Sequence, residues 1–164
     1  MATSVSRPWR SATALAAALT LSGCAFASIA PMQLAAPAAS VAATDAERDC
    51  LMRAMYFESS RSSTDGLFAV GTVVMNRMDD PRYPKSICGV VGQPNQFATG
   101  ILTNPMTETD NAVIVGSIAD RLLAGERHAD VGSALHFHQA GLTFGYANMH
   151  YVLEAGGNEF YERR

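Results

Sequence analysis

A single acidic residue, Glu58, ends the apolar and aromatic run at residues 54–57. Thr44 and Glu47 have the spacing of a capping box, which predicts that a helix begins there. Helical periodicity predicts an inward stripe formed by Cys50, Leu51, Ala54 and Phe57. Glu58 then falls on or beside this stripe, where burial would raise its pKa and suit it to general acid catalysis. The alternative is a Glu at the helix edge that meets solvent.

Two histidines alternate with apolar residues near the end of the chain, at residues 134–138. The alternation predicts a strand with His136 and His138 on one face and Leu135 and Phe137 on the other. A His-x-His pair on a strand, with His150 nearby, could hold zinc with an acid as base. The same pattern also fits polar side chains on an open sheet face or donors that line a groove.

The other acidic residues do not single out a partner for Glu58. Hydrolysis of a glycosidic bond ordinarily requires two carboxylates at a set separation. Helix caps or solvated faces explain the remaining candidates, which are Asp65, Glu108, Asp110, Glu154 and Glu159. One acid suffices where the sugar's own C6 hydroxyl is the nucleophile, as in a lytic transglycosylase. A domain without catalysis could instead grip a polymer through aromatic residues, the candidates being Tyr56, Phe97, Phe137 and Tyr161.

Composition favours one globular domain behind an export segment. The chain has 164 residues, of which 48% are hydrophobic and 16% charged. A formal net charge of −3 gives no basic surface for nucleic acid.

The N-terminus has the pattern of a secretory signal peptide over residues 1–23. Arg7 and Arg10 precede a small apolar stretch that is too short to span a bilayer. The following Leu-Ser-Gly-Cys sequence resembles a bacterial lipobox, which would make Cys24 the lipid-bearing first residue of the mature chain. A competing cleavage site follows Ala27. The protein is therefore expected to be a membrane-anchored lipoprotein facing the periplasm, or soluble in the periplasm or secreted if Cys24 carries no lipid.

The remaining chain divides into a tether and a domain. Residues 24–44 are rich in Ala and Pro, which predicts a tether after the lipidated Cys, and residues 45–164 form the domain. Export to an oxidising compartment favours a disulfide between Cys50 and Cys88, the alternative being two free thiols.

Turn and capping signals predict helices first and a small antiparallel sheet afterwards, an α+β domain. The second helix is expected over residues 66–77 with Thr64 or Asp65 as its cap, and the third from a cap at Thr109 or Asp110 to residue 124. Two short strands at residues 151–153 and 159–161 flank a predicted turn at residues 156–158. His128 lies in a charged stretch and is expected to be exposed.

Several segments, in order, resemble the cell wall hydrolase SleB family, which includes spore-cortex-lytic enzymes. The residues that carry the resemblance lie at 50–58, 67–77, 83–91, 96–97, 134–138 and 160–161. The resemblance covers residues 48–161, nearly the whole domain.

This resemblance implies a lysozyme-like fold, peptidoglycan as the substrate and Glu58 as the catalytic acid. It favours cleavage of the glycan strand, of lytic transglycosylase or muramidase type, without a metal or other cofactor. The alternatives are an N-acetylmuramoyl-L-alanine amidase and a peptidoglycan-binding lipoprotein without catalysis. The residues expected to contact the substrate are Tyr56, Asn76, Gln96, Phe97, His136, His138 and Tyr161.

The chain departs from the family pattern at three places near the expected groove. Ser62 stands where family members often carry a second Glu, and Ala98 and Thr99 replace a Ser-Trp-like pair. Asn158 replaces a His expected before the final Phe-Tyr pair. We interpret these changes as altered substrate preference, with reduced activity as the alternative.

Overall fold

A computed structural model describes residues 44–164. The predicted signal peptide, Cys24 and all of the predicted tether except Thr44 lie outside the described residues. None of the described helices is long and apolar enough to cross a membrane.

Helices come first and a three-stranded sheet follows. The helices are α1 (Asp45–Glu58), α2 (Thr64–Asp79), α3 (Ile87–Val91) and α4 (Thr109–Leu123), followed by a 3-10 turn at Ala129–Val131. The strands are β1 (His136–Gln139), β2 (Met149–Ala155) and β3 (Asn158–Arg163). They pair antiparallel in the order β1-β3-β2. The predicted α+β class is confirmed.

Helix α1 begins as predicted, but its capping box is only half formed. Thr44 Oγ1 accepts a hydrogen bond from the N–H of Glu47 at 3.3 Å. The Glu47 carboxylate does not return to the cap; it accepts a 3.0 Å hydrogen bond from the N–H of Cys88 in α3. Glu47, which the sequence pattern predicts to cap α1, therefore links α1 to α3.

The inward face of α1 is broader than the predicted stripe. Met55 and Tyr56 are buried together with the predicted Cys50, Leu51 and Ala54. Phe57 is only half-buried, although it packs against the core. Glu58 follows it at the margin of the core.

Helix α2 passes through the core, as its nearly continuous apolar sequence predicts. Gly71 allows close packing, since a Cβ at this position would overlap Leu122 of α4 and Met55 of α1. Its cap differs from the prediction: Ser63, one residue earlier than Thr64, accepts a hydrogen bond from the N–H of Gly66 at 3.1 Å.

Two other expectations need correction. The cap position of α4 is Glu108, which makes no side-chain capping hydrogen bond, so neither Thr109 nor Asp110 is the cap. His128 is buried, not exposed. Its Nε2 lies 2.8 Å from Oδ1 of Asp65, and its backbone N–H donates to Thr72 Oγ1 at 3.0 Å. These contacts with α2 bury His128, although the neighbouring sequence is polar.

The β2–β3 hairpin turns through two glycines, Gly156 and Gly157, whose φ angles are +58° and +82°. Both angles lie in the left-handed region that glycine enters without strain. A Cβ on Gly156 would overlap Ser59 and the backbone of Gly66, so the turn packs directly against the end of α1 and the start of α2. The N–H of Ser60 also donates to the carbonyl oxygen of Gly156 at 2.8 Å.

A disulfide joins Cys50 of α1 to Cys88 of α3, in agreement with the predicted pair. It closes a loop with a sequence separation of 38 residues. The bridge and the Glu47–Cys88 hydrogen bond act at the same helix pair.

Replacing both cysteines, by Cys50→Ser with Cys88→Ser, should lower the free energy of unfolding by about 4 kcal/mol, because the unfolded chain regains its loop entropy. Urea denaturation of the oxidised wild type and the double variant measures this difference. Added reductant should lower the free energy of unfolding of the wild type and leave that of the double variant unchanged. Equal stability of the two oxidised proteins would contradict the predicted contribution.

Candidate active site

Glu58 is the last residue of α1 and is half-buried. Its Oε1 accepts a 2.5 Å hydrogen bond from the backbone N–H of Ala98. Its main-chain carbonyl accepts a 2.6 Å hydrogen bond from Nδ2 of Asn158 in β3. The side chain and the backbone of Glu58 are thus fixed by two different parts of the chain.

The environment of Glu58 raises the pKa of its carboxyl group above the ordinary value. Burial is the largest cause, because it disfavours the charged form. The hydrogen bond from Ala98 and the positive charge of Arg77 act in the opposite direction. A protonated carboxyl group therefore persists to higher pH than it would at a solvated surface.

Arg77 of α2 supplies a buried positive charge to this region and is only 4% exposed. Its Nε donates to the carbonyl oxygen of Leu135 at 2.8 Å. Its guanidinium lies over the rings of Tyr83, Phe97 and Phe137, at 5.5, 5.3 and 6.0 Å from their centroids. Nη1 is buried and has no hydrogen-bond partner among residues 44–164.

The side-chain amide of Asn76 is hydrogen-bonded to the segment before β1. Its Nδ2 donates to the carbonyl oxygens of Gly132 and Ala134, at 2.9 and 3.0 Å. Both amide hydrogens are used in this way, and they hold the segment that leads into β1. The predicted groove contact of Asn76 would have to use its amide oxygen.

His136 and His138 share one face of β1, as the alternation predicts, and both contact Tyr161 of β3. The ring of His136 stacks on Tyr161 with centroids 5.2 Å apart, and His138 lies 5.5 Å from the same ring. Burial, followed by the charge of Arg77, lowers the pKa of His136 to about 4, so its imidazole is neutral at pH 7. A neutral imidazole can both donate and accept a hydrogen bond.

The other predicted contact residues differ in accessibility. Tyr56 is 2% exposed and its hydroxyl accepts from the N–H of Glu108, so its ring is part of the core. Gln96 is exposed, and Phe97 is half-buried with its ring 6.3 Å from Phe137. Tyr161 is 9% exposed beneath the histidines.

A polar depression of about 410 Å³ lies beside the end of α1. Its lining includes the loop at residues 59–62 together with Glu108 and Asn111. Ser62, which stands where the family often has a Glu, lies with its hydroxyl 3.0 Å from that of Ser60. The carboxylate of Glu108, which also lines this depression, forms an ion pair with Arg61 at 3.1 Å.

The zinc alternative requires a cluster of ligands around the histidine pair. Within residues 44–164, no group of three or more His, Cys, Asp or Glu side chains is arranged to hold a metal ion. His138 instead contacts the hydroxyl of Tyr151 through Nε2 at 3.0 Å.

Sequence analysis did not identify Arg77 and Asn158 as functional residues. Arg77 was visible only as the last residue of a helical motif, and Asn158 only as a departure from the family pattern. An Arg at the end of a nearly continuous apolar helix is a usable signal, because burial of its charge requires a specific environment.

Comparison with known families and structures identifies the class of enzyme to which the chain belongs. The family described as Cell Wall Hydrolase matches residues 61–161, more than half of the chain. The chain belongs to the cell wall hydrolase family. The match begins three residues after Glu58 and so does not include that residue. No curated protein matches the chain.

The fold of this cell wall hydrolase is similar to two solved catalytic domains. One is the catalytic domain of the Bacillus cereus SleB protein, with a TM-score of 0.59 and 18% identity over 77% of this chain and 98% of that chain. The other is the catalytic domain of the germination-specific lytic transglycosylase SleB from Bacillus anthracis, with a TM-score of 0.56 and 20% identity over 73% of this chain and 96% of that one. At these identities the likeness establishes the lysozyme-like α+β fold.

Substituting Arg77 should change the pH dependence of peptidoglycan cleavage. Arg77→Met removes a charge that lowers the pKa of Glu58, so that pKa rises further. A carboxyl group that acts as an acid then stays protonated to higher pH, and the alkaline limb of the kcat/KM profile moves upward. Release of soluble products from sacculi across a pH series measures the shift.

Arg77→Lys is the matched control, because it retains a positive charge. It should shift the alkaline limb of the kcat/KM profile less than Arg77→Met does. Thermal unfolding of both variants checks that each is folded. An alkaline limb that stays in place or moves to lower pH in Arg77→Met would contradict the role assigned to the charge.

Proposed function

We propose that this cell wall hydrolase cleaves the glycan strand of peptidoglycan, with Glu58 as general acid and then general base. The observation that carries the proposal is the half-buried carboxyl group of Glu58, whose pKa is raised by burial and which is held by the Ala98 N–H. A carboxyl group in such an environment keeps its proton to higher pH than a solvated one and can donate it to a leaving oxygen.

The reaction proceeds in two proton transfers. Glu58 first protonates the glycosidic oxygen, and the bond from that oxygen to the sugar breaks. The resulting carboxylate then removes the proton from the C6 hydroxyl of the same sugar, whose oxygen closes a 1,6-anhydro ring. The proton lost in the first step is regained in the second, and no water is consumed.

The surrounding carboxylates favour this single-acid mechanism over ordinary hydrolysis. Hydrolysis needs a second carboxylate to activate water or to form a covalent intermediate. Ser62 cannot do so, and Glu108 is paired with Arg61. The structurally similar SleB domain from Bacillus anthracis is named a lytic transglycosylase, which agrees with this choice.

The proposed substrate contacts come from the segment before Ala98 and from the sheet. Gln96 and Phe97 lie next to Ala98, whose N–H binds Glu58. His136, His138 and Tyr161 form a polar and aromatic surface on the sheet. Tyr56 and Asn76 support this groove chiefly from within, through the contacts described above.

Glu58→Gln should reduce the release of soluble products from purified sacculi by at least about 100-fold, because an amide cannot donate the required proton. Glu154→Gln is the matched control, since Glu154 is exposed on β2 and should retain wild-type activity. Full activity of Glu58→Gln would refute the assignment of the acid.

The chemistry of the wild-type products identifies the bond and the mechanism. Anhydro-muropeptides support the lytic transglycosylase, whereas new reducing ends indicate a muramidase. Free stem peptides indicate an amidase, the runner-up activity. Binding to sacculi without any product would leave only a peptidoglycan-binding protein.

We also propose that the protein is exported with residues 1–23 as signal peptide and is anchored by a lipid on Cys24, ahead of a tether and the domain at residues 45–164. Cys24→Ala should then release the mature protein from the membrane fraction into the soluble periplasmic or secreted fraction. Immunoblotting of the fractions measures this change. Retention of the variant in the membrane fraction would reject the lipobox.

A further inference from the structure

An exposed aromatic cluster lies on the sheet and includes residues that the active site described above does not use. We define the aromatic cluster as His138, Phe144, Tyr151 and Tyr161. The ring of His138 lies 4.7 Å from Phe144, 5.5 Å from Tyr151 and 5.5 Å from Tyr161, and Tyr151 lies 5.7 Å from Tyr161. The four rings therefore form one contiguous surface.

Strand register explains why these rings lie together. Tyr161 in the central strand β3 pairs with His136 on one side and with Tyr151 on the other, so these side chains form a row across all three strands. Phe137 and Phe160 point to the opposite face, where their rings pack 5.6 Å apart against the core. The aromatic cluster thus occupies the sheet face opposite to Phe137 and Phe160.

Two members of the cluster are largely open to solvent. Phe144 is 42% exposed and Tyr151 is 50% exposed. Tyr146, next to the cluster, is 62% exposed and lies beneath the guanidinium of Arg163 at 5.8 Å. Large aromatic side chains grouped on a surface mark a binding site more often than an accident of folding.

Polar groups lie at the edge of the rings. The Tyr151 hydroxyl lies 3.0 Å from Nε2 of His138, and Nδ1 of His138 lies 3.7 Å from the carboxylate of Glu159. A pyranose ring matches this arrangement, because its C–H faces are apolar and its hydroxyl and acetamido groups project around the edge. The Tyr151 hydroxyl and the Glu159 carboxylate each retain acceptor capacity that hydroxyl groups of a sugar can use.

The cluster is continuous with the candidate active site. Tyr161 and His138 belong both to the cluster and to the proposed groove, and Tyr161 stacks on His136. The charge of Arg77 acts on the pKa of both Glu58 and His136. A polymer that occupies the proposed groove would therefore also meet the aromatic cluster.

We propose that Phe144 and Tyr151 form a sugar-stacking subsite that holds the glycan strand of peptidoglycan away from the cleaved bond. The subsite rests on the proposed function for its substrate class. The ring faces supply the binding energy, and the hydrogen bond between Tyr151 and His138 orients the Tyr151 ring. The subsite therefore acts in binding and takes no part in proton transfer.

Binding is tested first, with chitotetraose, a soluble N-acetylglucosamine tetramer, as the probe. The experiment uses the purified full chain, and NMR titration follows the tyrosine ring signals and gives the Kd. Tyr151→Ala and Phe144→Ala should each weaken binding about tenfold, which corresponds to about 1.4 kcal/mol. Tyr151→Phe keeps the ring but loses the hydrogen bond to His138, so it should weaken binding less than Tyr151→Ala does.

Val113→Ala is the matched surface control, because Val113 is 75% exposed on α4, outside the cluster and the proposed groove. Thermal unfolding of every variant separates loss of binding from loss of the fold. A Kd that is unchanged in both Tyr151→Ala and Phe144→Ala, or no binding by the wild type, overturns the subsite.

Turnover of sacculi then separates the subsite from the proposed function. Tyr151→Ala should raise KM several-fold and leave kcat within about twofold, because stacking contributes equally to the ground state and the transition state. The wild type could bind chitotetraose through these rings and yet release no products from sacculi. That result would refute the glycan-cleaving function and leave the subsite intact. Product release with an unaltered KM in Tyr151→Ala would defeat the subsite alone.

Discussion

The geometry of the site depends on the close approach of two glycines, Gly66 at the start of α2 and Gly156 in the β2–β3 turn. A Cβ on either residue would overlap the backbone of the other. This approach lets the hairpin turn contact the loop after α1, where the N–H of Ser60 donates to Gly156. Two residues beyond Gly156, Asn158 reaches the carbonyl oxygen of Glu58. The sheet is thereby fixed to the end of the helix that carries the acid.

The pKa of Glu58 results from effects that act in opposite directions. Burial favours the neutral acid, whereas the Ala98 N–H and the Arg77 charge favour the carboxylate. An acid that must first donate and then accept a proton needs groups that stabilise each of its two forms, and Glu58 has both kinds. Arg77 provides its charge from a buried position set by the Leu135 carbonyl and three aromatic rings.

Local patterns in the sequence predicted the elements well. Thr44 begins α1, Gly71 allows close helix packing, and the paired glycines form the hairpin turn. These features depend on neighbouring residues, whose spacing is directly visible. Alternation likewise placed His136 and His138 on the same face of β1.

Long-range contacts account for what sequence reasoning missed. Glu47 has a capping-box position but binds the N–H of Cys88, and His128 lies in a polar stretch but is buried against α2. Asn76 was expected in a groove and instead braces the segment before β1. In each case the partner lies more than 40 residues away in the chain. A single sequence holds no local signal for such a pairing.

The most direct test of this account is the pKa of Glu58 itself, measured by NMR titration of the chain with 13C-labelled Glu carboxyl groups. Glu58→Gln assigns the resonance. The pKa of Glu58 is predicted to lie above the ordinary glutamate value of 4.5. A Glu58 that titrates at or below 4.5 would contradict the claim that its environment prepares it to act as an acid.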